Sequence, residues 1–411
     1  MSGPLSGLRV LELSRILAGP WAGQLLADYG AEVIKVERPG RGDDTRGWGP
    51  PYLKDDAGQE TVESAYFLST NRGKRSVAID FARPEGRELV RRLALDCDVL
   101  VENFKVGGLA KYGLDYASLA GEHPGLVYCS ITGFGQDGPY AGYAGYDAAI
   151  QAMGGLMSIT GGPDDLPGGG PQKVGVAVAD LMCGLYAVTA IQAALLHRRA
   201  SGRGQQIDLS LLDTQVAWLA NQAGNYLIGG QVPGRQGTAH PNIVPYQVFA
   251  TADGHVMLAV GNDSQFARFA ELAGRPQWAD EPDFAANRAR VRNRERLLPL
   301  IEAVLRQRCT DDWVAACRAA GVPVSPINDL ERVFADPQVQ HRRMVRHLTH
   351  PLNTRLPTVA NPVRFSETAV EYERAPPLLG ADTHSILSER LGLDQDQLSR
   401  LAEGGIIQAM D

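Results

Sequence analysis

The 411-residue chain lacks the features that mark several large classes of protein. Its five cysteines are scattered and form no C-x-x-C pair, as is typical of reduced thiols in a cytoplasmic protein. No long basic block occurs and the net charge is -7, which argues against a nucleic-acid-binding surface. No apolar stretch reaches the roughly 18 residues of a membrane span without a polar interruption. The N-terminus leads directly into a strand pattern, so neither a membrane anchor nor a signal peptide is expected.

Motifs for nucleotide and metal chemistry are also missing. No G-x-G-x-x-G follows the first predicted strand, which leaves an NAD-dependent dehydrogenase little support, and no G-x-x-x-x-G-K-[ST] supports phosphoryl transfer. His341, His347 and His350 lack the spacing of an H-E-x-x-H helix, so no metal site is predicted.

The first 135 residues alternate strand and helix patterns. Strands are predicted over 8–13, 32–37, 76–80, 98–103 and 126–131, with helices starting near Pro20 and at Pro84. This alternation favours an α/β fold with an open parallel sheet. Ligands of such sheets bind outside the carboxyl ends of the strands. The residues expected along that rim are Arg15 to Ala18, Arg38, Asp80, Asn103, Phe104 and Gly133 to Gly135.

Asp180 is an isolated carboxylate in an otherwise apolar or small run from Val174 to Leu196. A charged side chain is seldom buried without a partner, so its position needs a reason. One reason is structural, since a helix predicted over 181–198 would have Asp180 as its N-cap. The other is chemical, since a carboxylate kept ionised by a helix N-terminus can attack a carbonyl carbon. The nearby Cys183 is interpreted as a packing residue.

The organisation changes after residue 225. A hairpin is predicted around Asp253-Gly254, with helices over 264–274, 294–308 and 310–320. These patterns indicate a smaller α+β domain. The polar stretch Arg288 to Arg296 is interpreted as a solvated helix face, and a further helix is predicted from Thr383 to Leu391.

Short segments along nearly the whole chain, from about Leu5 to Leu393, carry a family resemblance. They include Leu17-Ala-Gly-Pro20, Ala31-Glu-Val-Ile-Lys-Val-Glu-Arg-Pro-Gly40, Gly42-Asp-Asp-Thr-Arg46, Val101-Glu-Asn-Phe104, Ile131-Thr-Gly-Phe-Gly135, Ala144-Gly-Tyr-Asp147 and Pro377-Leu-Leu-Gly380. In this order they resemble the class III coenzyme A transferases, the family of formyl-CoA transferase and carnitine CoA-transferase. The resemblance implies a large Rossmann-like CoA-binding domain built from residues 1–225 and 331–411, a small domain over 226–330, and a homodimer of interlocked subunits.

The resemblance also assigns site residues. Asp180 falls at the family's aspartate nucleophile. Coenzyme A, a substrate and not a permanently bound cofactor, would contact Leu17, Ala18, Arg38, Ile79, Asp80, Asn103, Phe104, Lys111, Tyr143 and Tyr146. Two positions depart from the family pattern, because Ala82 stands where many relatives have Lys and Tyr143 where Arg is common. Arg83 is a candidate substitute for the missing lysine.

The implied mechanism is covalent, through an aspartyl anhydride and an aspartyl-CoA thioester. Backbone N–H groups near the start of the Asp180 helix and in the Gly-rich loop from Gly161 to Gly170 would hold the oxyanion. Two alternatives remain at this point. The related α-methylacyl-CoA racemases use a His where this chain has Tyr146, and a phenol is a poor base near neutral pH. A non-catalytic CoA-binding protein would not need Asp180.

Further segments resemble the succinyl-CoA:glutarate branch of the family, among them Asn225-Tyr-Leu-Ile-Gly229 and Gly237-Thr-Ala-His240. They favour succinyl-CoA as donor and a C4–C6 dicarboxylate, glutarate first, as acceptor. A second substrate carboxylate needs a cation or several hydrogen-bond donors. Arg15 and His240 are the candidates, with simple surface placement as the alternative for both.

Overall fold

The computed structural model describes residues 3–409 of the chain. The strands in that range are β1 (Arg9–Glu12), β2 (Glu32–Glu37), β3 (Tyr52–Lys54), β4 (Glu60–Ser64), β5 (Lys74–Ile79), β6 (Val99–Glu102), β7 (Val127–Thr132), β8 (Gln206–Ser210), β9 (Tyr246–Ala250), β10 (His255–Ala259), β11 (Val324–Pro326), β12 (Val345–His350), β13 (Asn353–Val359) and β14 (Ile407–Gln408).

The α-helices are α1 (Ala18–Asp28), α2 (Ala65–Thr70), α3 (Pro84–Asp96), α4 (Tyr116–Leu119), α5 (Asp147–Met153), α6 (Leu156–Ile159), α7 (Val178–Ser201), α8 (Leu211–Ala217), α9 (Ala220–Gly229), α10 (Asp263–Leu272), α11 (Asn287–Arg292), α12 (Arg294–Leu305), α13 (Thr310–Ala319), α14 (Leu330–Ala335), α15 (Pro337–His341), α16 (Thr383–Leu391) and α17 (Gln395–Glu403). Short 3-10 helices cover Asp44–Gly47, Ala110–Tyr112 and Pro276–Ala279.

The chain divides into two compact units. The large unit holds the described residues of 1–156, 174–223 and 340–411, and the small unit holds 157–173 and 224–339. Residues 157–173, which the sequence analysis assigned to the large domain, therefore group with the small unit. The end of the small domain also differs from the prediction, because the small unit continues to residue 339 and not 330.

A seven-stranded sheet forms the centre of the large unit, in the order β14-β5-β2-β1-β6-β7-β8. All neighbours are parallel except β14, which runs antiparallel to β5. The prediction of a mixed α/β fold with a mainly parallel sheet is confirmed. The six parallel strands follow the order of doubly wound nucleotide-binding sheets, with the switch of direction between β1 and β6.

Apolar side chains on both faces of this sheet explain why its inner strands are continuous hydrophobic runs. One layer packs Val10, Val33 and Val99 against α1 and α7, and the other packs Leu11, Ile34 and Leu100 against α3 and α16. Cys183 on α7 is fully buried in the first layer, so its interpretation as a packing residue is confirmed.

Helix α7 is unusual in length and composition. It has 24 residues, and its most apolar 18-residue window has a mean hydropathy of 1.6, enough to cross a membrane by those two measures. The prediction that no uninterrupted apolar stretch reaches 18 residues is not contradicted, because Asp180 and Gln192 interrupt the run. Half of that window is buried within the fold, so length and composition alone do not make α7 a membrane span.

The small unit is built on the antiparallel sheet β11-β10-β9. Its β9–β10 hairpin confirms the turn predicted around Asp253-Gly254. The sheet packs with α10, α12 and α13 around Phe249, Leu258, Phe266 and Trp313.

Arg290 in this unit corrects the sequence analysis, which placed it on a solvated face. Its guanidinium is fully buried and donates to the carbonyls of Val244, Phe284 and Ala285 at 2.7 to 2.9 Å and to Asp263 at 2.7 Å.

Candidate active site

The carboxyl ends of the parallel strands surround a cleft of about 820 Å³ in the large unit. Its walls come from the segments that follow β1, β2, β5, β6 and β7, together with residues from 141 to 146, Asp180 and Leu211. The turn after β1 and the turn after β6 meet here, because the backbone N–H of Arg15 donates to Oδ1 of Asn103 and Nδ2 of Asn103 donates to the Arg15 carbonyl, at 2.9 and 2.7 Å. The cleft therefore lies at the switch point of the sheet, where such folds bind their ligands.

Twelve of the residues proposed from the sequence line this cleft. They are Arg15, Leu17, Ala18, Arg38, Ile79, Asp80, Asn103, Phe104, Lys111, Tyr143, Tyr146 and Asp180. Ala82 also lines it, whereas Arg83 does not and instead donates to the carbonyl of Gly404. The suggestion that Arg83 replaces the missing lysine therefore has no support.

Asp180 is the third residue of α7 and not its N-cap, so that prediction was wrong. The N-cap is Ala177, which offers no side-chain acceptor. Burial raises the pKa of the Asp180 carboxyl to about 7, and the neighbouring Asp147 carboxylate adds to the rise. A carboxyl with few polar contacts and a pKa near neutrality in a ligand cleft is a strong candidate for a chemical role.

The side chain of Asp147 takes the capping role at α7 from outside the helix. Its Oδ1 accepts from the N–H groups of Ala179 and Asp180 at 2.8 and 3.4 Å, and its Oδ2 accepts from Nε2 of Gln151 at 2.7 Å. The N–H groups of Val178 and Leu181 donate to nearby carbonyls. The N–H groups of residues 178 to 181 are thus occupied, and the prediction that backbone groups near this helix start hold the oxyanion stays a prediction.

Tyr66, on α2, is a residue that the sequence analysis missed. Burial raises the pKa of its phenol to about 12, and the carboxylates of Asp180 and Asp147 contribute to the rise. The phenol therefore stays protonated and feels the charge of Asp180, although Tyr66 is not among the residues that line the cleft. No local pattern could have indicated it, because α2 joins the site only through the tertiary fold.

The end of β2 is organised around ion pairs. Glu37 accepts from Nε and Nη2 of Arg46 at 2.8 Å each and from the Ser76 hydroxyl at 2.7 Å, so it is not available to bind a ribose. The next residue, Arg38, is exposed at the cleft and forms no ion pair with another described residue. Arg15 also faces the cleft, half-exposed, with Nη1 2.6 Å from Oδ2 of Asp44.

His240 lies in the small unit and is not among the residues that line the cleft. Its Nδ1 accepts from the N–H of Asn242 at 3.1 Å. Burial lowers the pKa of the ring, and the Arg294 guanidinium lowers it further. His240 is therefore mainly neutral at pH 7 and offers a hydrogen-bond donor, the second of the two roles considered in the sequence analysis.

The described residues contain no group of three or more His, Cys, Asp or Glu side chains placed to hold a metal ion. The buried thiol of Cys183 has a pKa raised to about 12, chiefly by burial, and is not a nucleophile. Asp180 is left as the candidate nucleophile of the cleft.

Known proteins resemble this chain over almost its full length. The succinate–glutarate CoA-transferase of Agrobacterium fabrum is 54% identical over 94% of this chain and 95% of its own. The human succinyl-CoA:glutarate CoA-transferase is 43% identical over 98% of this chain and 90% of its own. A crystal structure of a CaiB/BaiF family protein from Brucella suis is 50% identical, with a TM-score of 0.83 over 95% of this chain and 100% of that one. Residues 5–383 match the profile of CoA-transferase family III. The chain is therefore an enzyme that belongs to CoA-transferase family III.

Proposed function

We propose that this enzyme transfers coenzyme A from succinyl-CoA to glutarate or a similar dicarboxylate. The observation that carries the proposal is the carboxyl of Asp180, which lies in the cleft at the carboxyl ends of the sheet with a pKa near 7. The names of the relatives from Agrobacterium fabrum and human support the choice of substrates.

Asp180 acts as the nucleophile. Its carboxylate attacks the succinyl thioester, which breaks the C–S bond and gives a succinyl-aspartyl anhydride and CoA thiolate. The thiolate then attacks the aspartyl carbonyl of the anhydride, which releases succinate and leaves Asp180 as a CoA thioester. Glutarate attacks this thioester and forms a second anhydride. The returning thiolate attacks its glutaryl carbonyl, which yields glutaryl-CoA and regenerates Asp180.

The surroundings of Asp180 suit this chemistry. Its partial burial limits the access of water that would hydrolyse the anhydride, and a carboxylate with a raised pKa is a better nucleophile than an ordinary one. The protonated phenol of Tyr66 is the candidate donor to the oxygen that becomes negative during attack, since the first N–H groups of α7 are occupied. The Gly-rich loop predicted to share this role stays a candidate.

The cleft also has the charges that coenzyme A needs. Arg38 and Lys111 line it and can meet phosphate groups, while Leu17, Ala18, Ile79 and Phe104 offer apolar contacts. Tyr143 is 64% exposed and stacks on Tyr140 with ring centroids 5.6 Å apart, so it presents an aromatic surface where an arginine is common in the family. We propose that Arg15, which lines the cleft, binds the second carboxylate of the substrate.

We also propose that the enzyme is a cytoplasmic homodimer of interlocked subunits. Large apolar side chains on α7 and α9 are strongly exposed in the single chain, including Leu196, Leu227 and Ile228 at 64, 78 and 91%. Leu227 and Ile228 are neighbours on α9, and large exposed apolar side chains that lie together mark protein interfaces.

Trapping of the intermediate tests the proposed function. Incubation of the wild type with succinyl-CoA and hydroxylamine should convert Asp180 to a hydroxamate, detected by mass spectrometry of the peptide that contains it. Asp180→Asn should show no such adduct and should lose at least about a thousandfold in kcat/KM, because the nucleophile is gone. Retention of coenzyme A binding by the variant is the control for folding. Turnover of Asp180→Asn at a rate near the wild type would refute the mechanism.

A further inference from the structure

The turn that follows β1 contains an unusual backbone conformation. Ile16 has a φ of 73°, in the left-handed region that a β-branched residue strongly disfavours. Ile16 and its neighbours Arg15, Leu17 and Ala18 all line the cleft. A strained residue persists only where the surrounding structure holds it, and such residues concentrate at functional sites.

The carboxylate of Asp43 fixes Ile16 in this conformation. The N–H of Ile16 donates to both carboxylate oxygens of Asp43, at 3.2 and 3.3 Å. Asp43 is 1% exposed and is itself fixed, because Oδ1 accepts from the N–H and the hydroxyl of Thr45 at 3.0 and 2.8 Å. Its own N–H donates to Oε2 of Glu37 at 2.9 Å. The carboxylate therefore stands in a set position before it meets Ile16.

Lys35 joins this carboxylate to the end of β1. Its fully buried Nζ lies 3.0 Å from Oδ2 of Asp43 and donates to Oε1 of Glu12 at 3.0 Å and to the carbonyl of Ser14 at 2.8 Å. The ammonium group thus uses all three of its hydrogens. Together with the two hydrogen bonds between Arg15 and Asn103, these contacts secure the turn on both sides of Ile16.

We propose that Asp43 is a positioning residue for acyl-CoA binding: by holding Ile16 in its left-handed conformation, it fixes Leu17 and Ala18 against the ligand. The proposal rests on the proposed function, in which these two residues contact coenzyme A. Asp43 acts through the backbone of Ile16. Asp43→Asn retains the shape of the side chain but removes the ion pair with Lys35 and replaces one acceptor oxygen by a donor. The turn then loses its hold and relaxes away from the strained conformation.

Calorimetric titration of the purified full chain with free coenzyme A tests this idea in a double-mutant cycle. Asp43→Asn should raise the Kd for coenzyme A about tenfold in the wild-type background. In an Ile16→Gly background the same change should raise it less than about threefold, because glycine adopts the left-handed conformation without strain and has nothing to release. A purely structural role of Asp43 would give the same factor in both backgrounds.

Asp28→Asn is the matched control. Asp28 is also a buried carboxylate of the large unit, paired with Arg72 at 2.6 Å, and it does not line the cleft. This control should lower the melting temperature and leave the Kd for coenzyme A within about twofold of the wild type. If Asp43→Asn fails to fold, the Ile16→Gly, Asp43→Asn double variant should fold and bind coenzyme A as Ile16→Gly does.

Unchanged affinity in Asp43→Asn, equal factors in the two backgrounds, or absence of rescue by Ile16→Gly would each overturn the proposal. Failure of the proposed function would show elsewhere, as the absence of the Asp180 hydroxamate in the wild type.

Discussion

The environment of the Asp180 carboxyl makes the ionised form of this group destabilising to the folded state. Burial and Asp147 raise its pKa to about 7, above the ordinary value it has in the unfolded chain. The folded state therefore holds a proton that the unfolded state has released between about pH 4 and pH 7. The stability that this proton contributes is complete below pH 4 and is lost as the pH rises through 7.

Asp180→Asn should accordingly be more stable than the wild type at pH 8, by about 1 to 3 kcal/mol in the free energy of unfolding. The difference should shrink steadily as the pH falls to 4.5, because both side chains are then neutral in the folded state. Urea denaturation of both proteins across this pH range measures the difference in the free energy of unfolding. The contributions of the other titrating groups are the same in both proteins and cancel in this difference. A difference independent of pH would show that Asp180 is not perturbed in this way.

Arg15 is the cation that we propose to bind the second carboxylate of a dicarboxylate. Its guanidinium is half-exposed and bound on one side to Asp44, which leaves other N–H groups available. Arg15→Gln should raise the KM for glutarate about fivefold to tenfold and the KM for butyrate less than twofold, since a solvent-screened charge pair is worth about 1 kcal/mol.

His240→Ala tests the other residue suggested by the sequence, and its effect on the glutarate KM should be smaller because His240 does not line the cleft. Indifference of the glutarate KM to both substitutions would remove these residues from the acceptor site.

At the scale of elements, the sequence predicted best where burial shapes a whole segment. The strand over 32–37 and the helix from Thr383 to Leu391 have the predicted bounds, because each is an apolar run or stripe between clear breakers. The strands β8 and β14 were missed because they form the two edges of the sheet. β8 alternates exposed polar residues with partly buried ones, and β14 has only two residues.

The predictions that failed depended on contacts between distant segments. Asp180 has the residue type and the flanking pattern of an N-cap, but the cap of α7 is supplied by Asp147 on another helix. The segment around Arg290 has the composition of a solvated helix face. In the structure, however, the buried guanidinium of Arg290 donates hydrogen bonds to the carbonyl oxygens of residues 244, 284 and 285. Helical periodicity reports one chain segment at a time and contains no information about such partners.

Asp147 has two effects at the start of α7, and different substitutions can separate them. It accepts from two N–H groups of the helix, and its negative charge raises the pKa of Asp180. Asp147→Asn retains an acceptor oxygen but removes the charge, so the pH at which kcat/KM falls on the acid side should move below that of the wild type. Asp147→Ala removes both and should also lower the melting temperature, as loss of a helix cap worth about 1 kcal/mol does.

Profiles of kcat/KM between pH 5 and 9 measure this effect. An acid limb at the same pH in the wild type and Asp147→Asn would show that the charge of Asp147 does not act on the nucleophile.

At the scale of the whole molecule, the exposed apolar residues of α7 and α9 need a partner surface, and the proposed interlocked dimer supplies a second copy of the chain. Two interlocked chains differ from two chains that merely touch, because they cannot separate unless one of them unfolds. Dissociation is then limited by the unfolding barrier and not by the strength of the interface. Dilution alone should therefore leave the dimer intact.

Subunit exchange distinguishes the two arrangements. Dimers carrying two different affinity tags are mixed under native conditions for a day and analysed by native mass spectrometry. Interlocked subunits should give no mixed dimer, whereas unfolding in denaturant followed by joint refolding should give about half mixed dimer, as random pairing requires. Ile228→Glu should hinder assembly because it places a charge in the apolar patch, while Leu300→Glu, at an exposed apolar residue of α12, is the matched control. Mixed dimers that form within minutes in native buffer would contradict interlocking and leave a simple side-by-side contact as the arrangement of the subunits.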